Sequence, residues 1–153
     1  MAARVGIGYD SHRLDEGETL ILGGVEIEHE RGLAGHSDAD VLTHAVIDAL
    51  LGASGLGDLG VLFPPEEERW RDADSFDLLA VVVGKLPGPT INVDATLICE
   101  QPRIAPHRAE MEARLGEVLS APVSVKSTTN EGMGAIGRGE GIACIAVALV
   151  DAG

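Results

Sequence analysis

The stretch VGIGYDSHRL, residues 5 to 14, ends an apolar run in an aspartate and a histidine one residue apart. If Val5 to Tyr9 form a strand, its two-residue side-chain period puts Asp10 and His12 on one face, just where the strand runs out. His44, one turn into a predicted helix starting near Asp40, is a third candidate ligand. Two imidazoles and one carboxylate suit zinc and leave a fourth tetrahedral position open, the pattern of a catalytic site. Asp48, a turn after His44, is spaced to orient it from behind. A lone histidine on a helix is ordinarily a half-buried polar residue; the combination with Asp10 and His12 is what points to a metal.

Three further clusters carry polar chemistry. GHSDAD, residues 35 to 40, sets His36 and Ser37 ahead of the same helix, where backbone N–H groups, a hydroxyl and an imidazole suit a phosphate. An ordinary capping segment explains its aspartates as well. STTNEG, residues 127 to 132, offers the Thr128 and Thr129 hydroxyls and the Glu131 carboxylate. Magnesium takes few protein carboxylates and fills its shell with water and phosphate, although alone this is a polar turn. GRGEG, residues 137 to 141, places Arg138 and Glu140 two apart, which serves anion binding or an interface ion pair equally well. The proline-bounded turn CEQPRIAPH, residues 99 to 107, adds Arg103 and backbone groups that can read a flat base.

The elements that must position these residues follow from periodicity and punctuation. Residues 19 to 30 read as a hairpin turning at Gly23-Gly24, and VLTHAVIDALLGASG as a helix capped by Asp38 or Asp40. Residues 57 to 75 are too rich in Gly, Pro and charge for a regular element, so a long loop is expected, ending at an Asp74 or Ser75 cap. Ser75 to Leu86 reads as a second helix, 90 to 100 as a strand ended by Pro102, and His107 to Leu119 as a third helix burying Met111, Leu115, Val118 and Leu119. PVSVKSTTN is a short strand. The closing run Ile142 to Val150 is apolar at every position and so must be covered on both faces.

The expected fold is α/β: a mixed four- to five-stranded sheet with helices on one face. Three helices leave the other face bare, and a second copy of the chain is its natural cover. Folding of the 57 to 75 loop over that face is the competing expectation. At 153 residues, 45% apolar but only 3% aromatic, the chain is the size of one domain packed mainly by small aliphatic side chains. A formal charge of −14 argues against nucleic acid or an anionic membrane as partner. The start lacks a signal-like apolar stretch and no run is long enough to span a bilayer, so a cytoplasmic protein is expected. Cys99 and Cys144 show no paired spacing and read as buried free thiols.

In this order, the D-x-H at Asp10 to His12, HSDADVLTHAVIDALLGA, GLGDLG, NVDATL and GRGEGIAC resemble the 2-C-methyl-D-erythritol 2,4-cyclodiphosphate synthases of the non-mevalonate isoprenoid pathway, from Val5 to Val150. The resemblance implies a homotrimer whose active sites lie between subunits, with one Zn2+ per subunit on Asp10, His12 and His44. It also implies Mg2+ or Mn2+ entering with the substrate diphosphate, with Glu131 as its protein contact. The implied substrate is a 2-phosphorylated 4-diphosphocytidyl methylerythritol, cyclised with loss of CMP. By position, His36 and Thr129 stabilise the transition state, and Ser37 holds the methylerythritol end. Asp10, Ser11, His12, Asp58, Leu59, Gly60, Phe63 and Glu67 also match substrate contacts. Cys99, Glu100, Gln101, Pro102, Arg103, Ile104, Ala105 and Thr128 match the cytidine pocket, with Arg103 near the diphosphate, and Asn130 and Glu131 match further substrate contacts. Ala135 and Arg138 match the mouth of a central cavity that in relatives can hold an isoprenoid diphosphate. This chain departs in having FPPEEE where F-P-D-T-D-P is common, TTNE for T-T-T-E, and Ala135 for an aromatic. Two other readings remain at this point: a metal-dependent phosphohydrolase using Asp40 or Asp58 as base, and a non-catalytic metal- or isoprenoid-binding trimer.

Overall fold

The computed structural model describes residues 2–35 and 38–153; His36 and Ser37 lie outside the described residues. In chain order the elements are β1 (Ala3–Glu16), β2 (Leu20–Leu22), β3 (Val25–Ile27), β4 (Arg31–Leu33), α1 (Val41–Ser54), α2 (Leu59–Leu62) and α3 (Ser75–Val83). After them come β5 (Thr90–Ile98), α4 (Arg108–Leu119), β6 (Val123–Thr128), α5 (Gly134–Gly137) and β7 (Gly141–Asp151). Five strands form one sheet in the order β4-β1-β7-β5-β6, antiparallel except for the parallel pair β5–β6. The mixed sheet with helices on one face is as expected. The small hairpin β2–β3 turns at Gly23 and Gly24, whose positive φ angles of 59° and 74° fit the twist of a two-residue turn.

The first strand does not run out at Asp10. It continues to Glu16 because β7 pairs with it through Arg13↔Gly141 and β4 takes over from Leu14. Asp10 and His12 therefore project from inside a paired strand, opposite Cys144 and Ile142. That gives them a firmer base than a strand end would.

Helix α1 crosses the sheet at unusually close range. A Cβ on Gly8 would lie 2.0 Å from the Ala45 carbonyl oxygen, and one on Gly6 2.0 Å from that of Ala49. Ala45, Ala49 and Ala53 face these glycines at four-residue spacing, so backbone meets backbone. Eleven of the fourteen residues of α1 are buried, because the helix is held between the sheet and α3. Asp40 caps it: its carboxylate accepts from the N–H and hydroxyl of Thr43 and from the N–H groups of Gly23 and Gly24, binding the hairpin to the helix.

The opposite face of the sheet is apolar and open. Val5, Ile7 and Tyr9 are 67%, 69% and 57% exposed, and Ile7 and Tyr9 pair in register with Val147 and Ile145 of β7. The loop between α1 and α3 does not cover this face, since these residues would then be buried. It folds instead on the helix side, carrying α2 and a 3-10 turn at Glu68–Trp70. Among the described residues, no helix is long and apolar enough to cross a membrane.

Candidate functional site

Asp10, His12 and His44 converge as their spacing suggested. Asp10 and His12 share the helix-facing side of β1, and the close seating of α1 on Gly6 and Gly8 sets His44 beside them. Asp10 Oδ2 lies 2.9 Å from His12 Nε2 and 3.1 Å from His44 Nδ1, and the three ligand atoms all fall within 4.8 Å of one another. Burial works to raise the Asp10 carboxyl, but His12 and then His44 outweigh it and hold it at about 2. Burial works against charge on His12 too, and contact with Asp10 overcomes it, so its pKa is raised.

The chemistry of this donor set fits a divalent cation. His12 Nδ1 meets the Ala34 carbonyl oxygen at 3.1 Å, and a carbonyl only accepts, so Nδ1 carries a proton and in the neutral ring the lone pair is on Nε2. That Nε2 is buried with no acceptable hydrogen-bond partner, although a carboxylate oxygen stands 2.9 Å away. With the ring neutral, two acceptors face each other, an arrangement that a proton or a metal cation between them satisfies. Gly35 leaves room for the ring, since a Cβ there would lie 3.0 Å from it.

Behind His44 the structure differs from expectation. Asp48 Oδ1 accepts from the Leu59 N–H at 2.7 Å and anchors the start of α2. Burial raises the pKa of its carboxyl, and His44 acts on it through charge in the opposite direction. The outer nitrogen of His44, Nε2, meets Ser75 Oγ at 2.8 Å, and that hydroxyl donates to Asp38. Reading the sequence placed Ser75 and Asp38 only as candidate helix caps, because a hydroxyl or carboxylate at a helix start has that bland use. Asp40 as a hydrolytic base is also excluded: its carboxylate is fully buried and occupied by four donors. Asp58 caps α2, accepting from the Val61 N–H at 2.9 Å.

The remaining candidates fall into separate places. Leu59, Gly60, Phe63, Pro65, Trp70 and Leu78 wall a cleft of about 210 Å³ over the three ligands. Phe63 and Trp70 meet edge to face at 4.7 Å, while Glu67 Oε2 accepts from Trp70 Nε1 and Arg69 Nε, each at 2.9 Å. A second cleft, of about 190 Å³, is lined by Cys99, Glu100, Pro102, Arg103, Ile104, Ala105, Thr128 and Thr129. Gln101 contributes a carbonyl to the Cys99 thiol at 3.1 Å, and Glu100 accepts from the Asn130 N–H at 2.6 Å. Glu131 is exposed on a left-handed backbone, φ 53°, with its N–H on Thr129 Oγ1. Ser11 and Ala135 border a third cleft, and exposed Arg138 pairs with Glu140 at 2.6 Å. Among the described residues of one chain, the three candidate ligands and the second cleft do not share one cavity.

A profile of the YgbB family matches residues 3–151. The chain belongs to the YgbB family. It is 54% identical over 153 residues to the 2-C-methyl-D-erythritol 2,4-cyclodiphosphate synthase of Salinibacter ruber, covering 96% of this chain and 98% of that one. Among solved structures, the bifunctional IspDF of Campylobacter jejuni superposes with a TM-score of 0.92 at 36% identity, covering 97% of this chain and 42% of that one. A 2C-methyl-D-erythritol-2,4-cyclodiphosphate synthase in a CDP-bound form gives 0.88 at 35% identity, covering 97% and 100%. The mixed sheet with helices on one face is thus the fold of these relatives.

Proposed function

We propose that residues 1–153 act as a single cytoplasmic synthase domain. It converts 4-diphosphocytidyl-2-C-methyl-D-erythritol 2-phosphate into 2-C-methyl-D-erythritol 2,4-cyclodiphosphate and releases CMP. One observation carries the assignment: three ligand atoms converge within 4.8 Å in a chain 54% identical to a synthase of that name along almost its whole length.

An oxygen of the substrate's 2-phosphate attacks the β-phosphorus; the new P–O bond closes the ring as the bond from that phosphorus to the CMP oxygen breaks. The substrate brings its own nucleophile, so the protein supplies position and charge. Folding the two ends together makes the step intramolecular, an effect that reaches roughly 7–11 kcal/mol in well-oriented systems. Zinc on Asp10, His12 and His44, and magnesium or manganese arriving with the diphosphate, would supply positive charge and polarise phosphate oxygens.

His36 and Thr129 hold the transferring group, and Glu131, exposed on its loop, meets the second ion. Ser37 holds the methylerythritol phosphate end. Leu59, Gly60 and Phe63 enclose the carbon skeleton beside the ligands, with Asp58 and Glu67 toward its hydroxyls. Cys99 to Ala105 and Thr128 take the cytosine, with Arg103 toward the diphosphate. Arg138 and Ala135 belong to the mouth of a central cavity suited to an isoprenoid diphosphate.

A homotrimer completes the site. Clefts of about 210 and 190 Å³ are each below the roughly 300 Å³ at which ligand pockets usually start, so a nucleotide-sized substrate needs more than one. Among the described residues, the first cleft is lined by no lysine or arginine, although the substrate is strongly anionic. The open apolar face of β1 and β7 supports packing against further copies. Phosphorus NMR of the purified protein with substrate, zinc and magnesium tests the assignment. Equimolar CMP and cyclic diphosphate are expected; an acyclic phosphate alone, or no product from zinc-loaded protein, would overturn it.

A further inference from the structure

The Asp38 carboxylate is engaged on both oxygens. Oδ2 accepts from the Ser75 N–H at 2.9 Å; Oδ1 accepts from the Asp40 N–H at 3.1 Å and from the Ser75 hydroxyl. A carboxylate only accepts, so the single hydroxyl proton of Ser75 is committed to Asp38. Ser75 Oγ then presents a lone pair to His44 Nε2, 2.8 Å away, and that nitrogen must carry the ring proton. A neutral imidazole protonated at Nε2 has its lone pair on Nδ1, the atom that faces Asp10 Oδ2 at 3.1 Å.

Capping does not account for the Ser75 hydroxyl. The side chain that caps α3 is Asp74, which accepts from the Phe76 N–H at 2.8 Å. Ser75 is fully buried at the first position of α3, where an unused hydroxyl would be costly. We propose that Ser75 and Asp38 are positioning residues for the metal site, setting the His44 tautomer and ring orientation so that Nδ1 is the ligand. The inference rests on the metal-site reading above. It also links two parts of the molecule: Ser75 directly follows the loop bearing Phe63 and Trp70, so the seating of α3 and that loop is transmitted to His44. Outer partners of ligating histidines typically contribute about 10–100-fold in metal affinity.

The test compares wild type, Ser75→Ala and Asp38→Asn, each checked for folding by circular dichroism. Zinc affinity is measured by competition with a chromophoric chelator, and the His44 tautomer by nitrogen-15 NMR of metal-free protein with the ring neutral. Wild type is expected to show Nε2–H. Ser75→Ala should bind zinc about 10–100-fold more weakly and populate both tautomers. In Asp38→Asn the new amide can donate to Ser75 Oγ, freeing the hydroxyl to donate to Nε2 and driving His44 toward Nδ1–H. Equal zinc affinity across the three proteins, or Nδ1–H in metal-free wild type, would overturn the proposal. Wild type that binds no zinc while keeping the Nε2–H signature would defeat the metal-site reading and leave the relay standing, so the two failures are distinguishable.

Discussion

At Asp10 one carboxylate oxygen faces two ring nitrogens, and each ring is held from behind, His12 by the Ala34 carbonyl and His44 by Ser75. The D-x-H spacing made the first two ligands legible, because alternation along a strand is local geometry. Ser75 was not legible as a partner of His44, since the two are 31 residues apart and meet only when α3 packs on α1. Cys99 offers a separate test at this scale. Burial, aided by the charge of Glu100 and opposed weakly by the Gln101 backbone, pushes its thiol up from 9.0 to about 11. At pH 8 the thiolate fraction is then about a hundredfold below that of an unperturbed thiol of pKa 9.0. Alkylation by iodoacetamide, mapped to Cys99 by mass spectrometry, should be slower by that factor and accelerate toward pH 11. The linkage runs the same way: the unfolded thiol ionises first, so this residue's contribution to stability declines as pH rises from 9.0 to about 11. Alkylation at pH 8 as fast as in the denatured chain would contradict the burial.

Among the elements, the decisive contact is that of α1 on β1. It was legible only in part: GIG and the alanines of α1 are visible as small residues, but which faces which depends on the crossing of helix over sheet. Gly8→Ala puts a methyl 2.0 Å from the Ala45 carbonyl oxygen, within backbone that cannot swing aside. Overpacking of this kind costs typically 1–3 kcal/mol and occasionally more, and here about 3 kcal/mol or greater is expected. Thermal unfolding should show a Tm drop of ten degrees or so, the scale for about 3 kcal/mol in a chain of 150 or more residues. Zinc affinity should fall with it, because β1 and α1 part between Asp10 and His44. An unchanged Tm would mean that α1 stands farther from the sheet. Helix and strand boundaries were less legible than their existence. Asp10 to Glu16 reads as a polar strand end, yet long-range pairing with β7 and β4 keeps it extended.

For the molecule as a whole, the exposed row Val5, Ile7 and Tyr9 with Ile145 and Val147 is the feature a monomer would not keep. Ile7→Lys adds a charge at a site 69% exposed in the single chain, so the fold itself should survive. Sedimentation is expected to show monomer for this variant and the proposed trimer for wild type. Zinc should still bind each chain, because its ligands come from one subunit, while cyclisation should be lost with the shared cleft. A trimer of normal activity after this substitution would assign the face another role. The competing expectation, that the loop of residues 57 to 75 covers the face, fails because Phe63 and Trp70 find their apolar contact on the helix side.

The sequence by itself determined the main strands and helices, the sidedness of β1, the candidate ligand set and the family, because these depend on local spacing and on residue types kept in order. The short β4, α2 and α5 were not legible. The tertiary structure alone decided that β1 continues through its ligands, that His44 reaches Asp10, and that Ser75 with Asp38 stands behind it. It also committed Asp40 to structural hydrogen bonds instead of chemistry and tied Asp48 to the start of α2. Each of these turns on which groups meet across tens of residues, and a buried polar group takes whichever partner packing brings within about 3 Å.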